Sequence, residues 1–318
     1  MYYIGIDVGG TNLVAGLVDE SGRIINKVST PVSKDMTAQQ FGAELVRMSR
    51  RLCEVGEVEP GSIEAVGVGL PGVVDNKQGL FVQNPNMPFS DKNVPLREMF
   101  HQEWDVPVFL GNDANCAAVG EYWAGAAKGC DPAVMVTLGT GIGGGMVCGG
   151  KLFTGFANSG MEIGHMIIHP NGILCGCGAR GCWERYGSAT ALIQLTQREM
   201  EFSRDSTLWE ICGNDPAKVQ GRTPFQGARL GDPAAKRVLA KYLQGLAIGM
   251  INLVNILQPE VICLGGGVSN AEDDLLLDPL RELVQQGSFD KTNHTRIEKA
   301  SLGNDAGVVG AALLCNLV

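Results

Sequence analysis

Residues 2–28 read YYIGIDVGGTNLVAGLVDESGRIINKV. Tyr2 to Asp7 is a short apolar run of strand length, and Asn12 to Asp19 alternates as a second strand. Ser21-Gly22 makes the hairpin turn into a third strand, Ile24 to Val28. The loop between the first two strands, Asp7-Val8-Gly9-Gly10-Thr11-Asn12, carries no Walker lysine, and no helix-opening GxGxxG with a distant acid follows the first strand. Both the P-loop and the Rossmann reading therefore fall. The loop still suits a phosphate: its glycines expose backbone N–H groups, Thr11 adds a hydroxyl, and Asp7 can hold Mg²⁺ directly or through water.

The same grammar recurs along the chain. Thr37 to Val55 is an amphipathic helix with Phe41, Leu45, Met48 and Leu52 at helical spacing. Ile63 to Leu70 returns to strand and stops at Pro71-Gly72; Val106 to Leu110 is a strand followed by Gly111-Asn112-Asp113 and a helix from about Asn115 to Ala127. Ala133 to Leu138 runs into Gly139-Thr140-Gly141-Ile142-Gly143-Gly144-Gly145. Asp232-Pro233 caps a helix reaching about Leu257, and Val261 to Leu264 ends at Gly265-Gly266-Gly267. Strands alternating with helices predict an α/β protein. Three glycine-rich loops at separate strand ends predict one nucleotide held between two half-domains. The segment from Glu201 to Gln226 is polar and irregular, and no element is assigned to it.

A different chemistry is written in HMIIHPNGILCGCGARGCWE, His165 to Glu184. One imidazole, His165, and three thiols, Cys175, Cys177 and Cys182, make a full tetrahedral shell for Zn²⁺. Gly176, Gly178 and Gly181 let the loop turn tightly enough for the sulfurs to converge. Four protein ligands leave no open position for water, so such a metal is structural. His169, between these ligands, is a weaker alternative donor. The other seven cysteines are scattered in mostly apolar surroundings, as free thiols used in cores are, which points to a reducing, cytoplasmic compartment.

A formal charge of −9 argues against a nucleic-acid partner. No membrane span is expected. The most apolar stretch, Gly245 to Val268, holds Asn252, Asn255, Gln258, Pro259 and Glu260, and Asp7 interrupts the apolar N-terminus.

Taken in order, Asp7-Val8-Gly9-Gly10-Thr11-Asn12, Gly111-Asn112-Asp113, Leu138-Gly139-Thr140-Gly141 and the CxCGxxGCxE block with its upstream Gly-His resemble the ROK family of sugar kinases, and within it the bacterial glucokinases. The resemblance covers nearly the whole chain. It implies two actin-like (ribonuclease H-like) α/β domains with ATP and sugar in the cleft between them. The first would be residues 1–112, with a helix from 304 to 318 crossing back onto it; the second would be 113–303.

By the same resemblance Asp113 is the general base that takes the proton of the sugar 6-hydroxyl, a role it could combine with an Asx turn opening the helix from Asn115. Asn112, Glu162, His165 and Glu184 would hold the sugar, with Gly79 and Asn93 as further contacts. Asp7, Gly9, Gly10, Thr11, Asn12, Thr140, Gly141, Gly266 and Gly267 would bind Mg²⁺-ATP. The family implies a homodimer. Its members act on glucose, N-acetylmannosamine, N-acetylglucosamine, fructose or allose, and polyphosphate is an alternative donor. Some relatives are sugar-responsive repressors with an N-terminal DNA-binding arm; this sequence begins its first strand at Tyr2.

Overall fold

The computed structural model describes residues 1–83, 87–292 and 294–318. Contacts divide it into two compact units. The first comprises 1–135, 145–161 and 300–318; the second comprises 136–144 and 162–299. Residues 113–135, 145–161 and 300–303 thus belong to the first unit, where the sequence reading put them in the second.

The first unit is built on a five-stranded sheet. Its strands are β1 (Tyr2–Val8), β2 (Asn12–Asp19), β3 (Ile24–Pro31), β4 (Ile63–Leu70) and, beyond the small hairpin of β5 (Val73–Asp75) and β6 (Leu80–Gln83), β7 (Val108–Asn112). The order is β3-β2-β1-β4-β7. The β1–β2–β3 meander is antiparallel, and β1/β4 and β4/β7 are parallel. Period-two alternation sends Ile4 and Ile6 into the core under helix α1 (Ala38–Val55), whose Phe41, Leu45, Met48 and Leu52 are at most 1% exposed. Each such side chain contributes about 2 kcal/mol. A reciprocal capping box between Thr37 and Gln40 opens α1. Helix α2 (Leu96–Glu103) precedes β7, and α3 (Asp113–Ala124) follows it directly.

The opposite face of the sheet is paved with small residues. Gly5 and Gly67 are register partners across β1 and β4. A Cβ on Gly67 would lie 1.7 Å from the carbonyl oxygen of Ala311, and one on Gly5 would lie 1.9 Å from that of Val308. Both oxygens belong to a late helix, Ala306–Leu313, which therefore rests backbone-on-sheet and packs against α3 as well. Beside it Glu121, fully buried on α3, accepts hydrogen bonds from the N–H groups of Ala126 (2.8 Å), Ser301 (3.0 Å) and Leu302 (2.8 Å). That carboxylate ties the chain entering the late helix to α3.

The second sheet has the order β10-β9-β8-β11-β12, from β8 (Ala133–Leu138), β9 (Ile142–Cys148), β10 (Lys151–Leu152), β11 (Val261–Gly265) and β12 (Arg296–Lys299). Helices of the second unit are α4 (Glu184–Gly187), α5 (Ala189–Phe202), α6 (Leu208–Ile211), α7 (Thr223–Arg229), α8 (Pro233–Leu257) and α9 (Leu277–Gly287); the late helix is α10. α8 is long and apolar enough to cross a membrane by length and composition. It is the packed axis of its unit, touching α4, α5, α7 and α9, with Tyr242, Leu246 and Met250 fully buried.

The segment left unassigned from 201 to 226 is ordered by Asp232. This residue caps α8 through the Ala235 N–H (2.9 Å) and also accepts from Ser206 Oγ (2.9 Å) and the Thr207 N–H (2.6 Å). One carboxylate thus fixes both the start of α8 and the loop into α6.

Candidate active site

β7 reaches two residues further than the sequence suggested, and α3 starts two residues earlier. The residue that caps α3 is Asn112, not Asp113: its side-chain oxygen accepts from the N–H groups of Ala114 (2.9 Å) and Asn115 (3.4 Å). Its amide nitrogen donates to the carbonyl of Gly72 (3.1 Å), so most of its hydrogen-bonding capacity is spent locally. Asp113 is freed from the cap and stands at the first helical position. Its carboxylate accepts the Ala114 N–H at 2.8 Å. The side chain reaches solvent at the surface, but crowding by protein removes enough hydration to raise its carboxyl above the usual aspartate value. Backbone hydrogen bonds and Asn112 partly oppose that rise.

Asp7 is the penultimate residue of β1, in register with Val14 and Gly69. Burial, and secondarily the charge of Asp113, push its carboxyl up to about 6. A Cβ on Gly307, in the first turn of α10, would meet the Asp7 carboxyl at 2.8 Å. In the loop after Asp7 the Gly9 N–H donates to the Asn12 carbonyl (3.0 Å) and closes the turn, so it does not point outward as the sequence suggested. Gly10, Thr11 and Asn12 are exposed. Two further expected sugar contacts, Gly79 and Asn93, lie on the segments before and after β6. Gly79 packs against Arg97, and Asn93 lines a cavity with Thr37 and Glu98, whereas Asn112 lines another with Asn76 and Asn115.

In the second unit His165, Cys175, Cys177 and Cys182 converge, with all four donor atoms within 4.8 Å of one another. Cys177 Sγ and Cys182 Sγ are 3.5 Å apart, and Cys175 Sγ is 3.7 Å from His165 Nδ1. A tetrahedron with Zn–S bonds has edges of about 3.8 Å, so the spacing fits a metal ion of that size. Burial, then the nearby Glu184 carboxylate, pushes the Cys175 thiol up to about 12, a cost that a bound cation would remove. Gly178 and Gly181 take the left-handed φ values of +90° and +83° that the tight loop needs; Gly176 does not. His169 is outside the cluster and stacks on Tyr186. Trp183, fully buried, fastens the loop to α8 through an Nε1–H bond to Gly245 (3.1 Å).

Glu184 begins α4 beside this cluster. Its Oε1 accepts from Cys175 Sγ at 2.9 Å and lies 4.0 Å from His165 Nδ1. Glu162 and His165 share one turn, closed by the His165 N–H on the Glu162 carbonyl (3.0 Å). Thr140 is exposed at the β8–β9 turn, next to Gly141. Gly266 (φ +86°) lets its loop press on Leu138, while Gly267 lines a cavity of about 420 Å³ with Arg222, Phe225, Arg229 and Glu272. Sequence reasoning missed those four cavity residues, because they come from stretches without strong periodicity.

The sequence profile of the ROK family matches residues 3–317. The chain belongs to the ROK family. This ROK chain is 37% identical to the glucokinase of Thermotoga maritima over 97% of its own length and 95% of that protein's. It is 35% identical to the glucokinase of Streptomyces coelicolor, covering 97% and 96%. Among solved structures, a ROK family glucokinase from Streptomyces griseus in complex with glucose and AMPPNP superposes with a TM-score of 0.81, at 34% identity and 99% coverage of both chains. The expected actin-like α/β fold of the ROK sugar kinases therefore holds for this chain.

Proposed function

We propose that this ROK chain is a glucokinase, transferring the γ-phosphoryl group of ATP to the 6-hydroxyl of glucose. The observation that carries the reading is the state of Asp113: released from capping by Asn112, fixed at the head of α3 and raised in pKa. A carboxylate so placed can take the proton of an attacking hydroxyl. Phosphoryl transfer has a loose transition state, so the hydroxyl loses its proton late and a weak base suffices. The similarity to proteins named glucokinase over nearly the full chain supports both the reaction and the sugar.

Asp7 would hold the Mg²⁺ that accompanies ATP. That ion supplies charge neutralisation, which the raised carboxyl of Asp7 and the nearby negative charge of Asp113 invite. The N–H groups of the Gly10–Asn12 and Thr140–Gly141 turns would receive phosphate oxygens, and the cavity beside Gly267 has the volume for the nucleoside. Glu162, His165 and Glu184 would bind vicinal hydroxyls, pairing donors with acceptors at fixed spacing. His165, Cys175, Cys177 and Cys182 would hold Zn²⁺. The contribution would be structural: the loop that carries Glu184 would be held by these four residues, and the ring nitrogen of His165 not spent on the ion would be a donor. Cys53, Cys116, Cys130, Cys212 and Cys263 are buried as small core residues, which supports a reducing, cytoplasmic setting. The test is a coupled assay with Mg²⁺-ATP and a panel of hexoses. Glucose should give ADP and glucose 6-phosphate in equal amounts, and an inactive panel would refute the reading.

A further inference from the structure

Gly141 belongs to the glycine-rich turn that the family resemblance gives to ATP. The packing around it points to the sugar as well. A Cβ on Gly141 would lie 2.5 Å from Glu184 Oε2 and 3.7 Å from its Cδ, with no other heavy atom within 4 Å. The nearest object is thus one carboxylate oxygen, and the other, Oε1, lies on the side of the metal-type cluster, 2.9 Å from Cys175 Sγ. The turn is seated on the same module at two further points. The Ala189 N–H donates to the Gly139 carbonyl (2.9 Å), and a Cβ on Gly164, beside His165, would strike the Ile142 carbonyl oxygen at 2.2 Å. Gly141 does not adopt a left-handed φ, so its backbone does not demand glycine. Only the missing side-chain volume is being used.

We infer that Gly141 is a positioning residue for glucose: its bare Cα leaves the space in which the Glu184 carboxylate lies, and so sets where that carboxylate meets the sugar. The inference rests on the sugar kinase reading and on Glu184 as a sugar ligand. An added methyl would displace the carboxylate, because the end of a glutamate moves more easily than a packed turn.

The test is Gly141→Ala in the full-length, zinc-replete protein. The dissociation constant for glucose, measured by calorimetry without nucleotide, should rise about ten-fold, the usual effect of misplacing one charged hydrogen bond. The KM for ATP should change less than the KM for glucose, with zinc content and Tm near wild type. Glu184→Asp draws the carboxylate back by one methylene. Gly141→Ala should therefore weaken glucose binding much less in that background than in the wild type. An unchanged glucose constant, a loss confined to ATP, or equal penalties in both backgrounds would overturn the inference while leaving the kinase reading intact. A wild-type protein that binds no hexose would overturn both.

Discussion

Asp7 is pressed by its own burial and by Asp113: burial gives the larger share of its raised pKa, and the carboxylate of Asp113, at the head of α3, is near enough for its charge to oppose ionisation of Asp7. The folded protein therefore holds a proton on Asp7 up to about pH 6, whereas the unfolded chain releases it near pH 4. Between those values the native state binds more protons than the unfolded state, so this residue makes the free protein less stable as pH rises.

Asp7→Asn should accordingly stabilise the protein free of nucleotide and Mg²⁺ at pH 7, by about 1–3 kcal/mol. The gain in Tm over wild type should be near zero at pH 4 and grow through pH 6. The same variant should lose turnover with Mg²⁺-ATP. Thermal melts of both proteins across that range check the sign, and a gain that is flat with pH would contradict it.

Asp113→Asn should remove turnover while sparing glucose binding. The amide keeps the size of the side chain but cannot take the hydroxyl proton, and the loss should be about 10²–10⁴ in kcat. Because the Asp113 carboxyl lies above its ordinary value, the acid limb of the wild-type kcat profile should fall at a pH above that of an exposed aspartate. Turnover within a few-fold of wild type would assign the base elsewhere.

Metal analysis of protein purified without added zinc should give one Zn per chain. Cys177→Ser should lower zinc content, Tm and glucose affinity together, because the loop that carries Glu184 loses its anchor. A stable, fully active protein without bound metal would remove the ion from the account.

Glu121→Ala should destabilise the fold by about 3 kcal/mol or more, since three backbone N–H groups lose their acceptor inside the protein. Denaturant melts measure it. A loss below about 1 kcal/mol would show that water or rearrangement replaces the carboxylate.

The strand–helix grammar was legible because buried strands and α1 carry clean periodicity, and because Asp232-Pro233 is an unmistakable helix start. The four metal-type donors were legible because their spacing is local. What escaped depended on contacts between distant residues. The shift of the α3 cap from Asp113 to Asn112 turns on where β7 ends, and periodicity fixes that only loosely. The paving by Gly5 and Gly67 makes sense only once α10 lies on them. Glu121 left a trace, as the one carboxylate after the first residue in an otherwise uncharged helix, DANCAAVGEYWA, but two of its three N–H partners lie 180 and 181 residues away. Gly79 and Asn93 were carried by resemblance alone.

The central claim is tested most directly by a mixed-substrate assay. The purified protein is given Mg²⁺-ATP with equimolar glucose, N-acetylmannosamine, N-acetylglucosamine, fructose and allose, and the products are resolved by ³¹P NMR. Glucose 6-phosphate should dominate, and it should vanish with Asp113→Asn. Preferential phosphorylation of an acetamido sugar would contradict the choice of glucose, and no phosphorylated sugar at all would contradict the kinase.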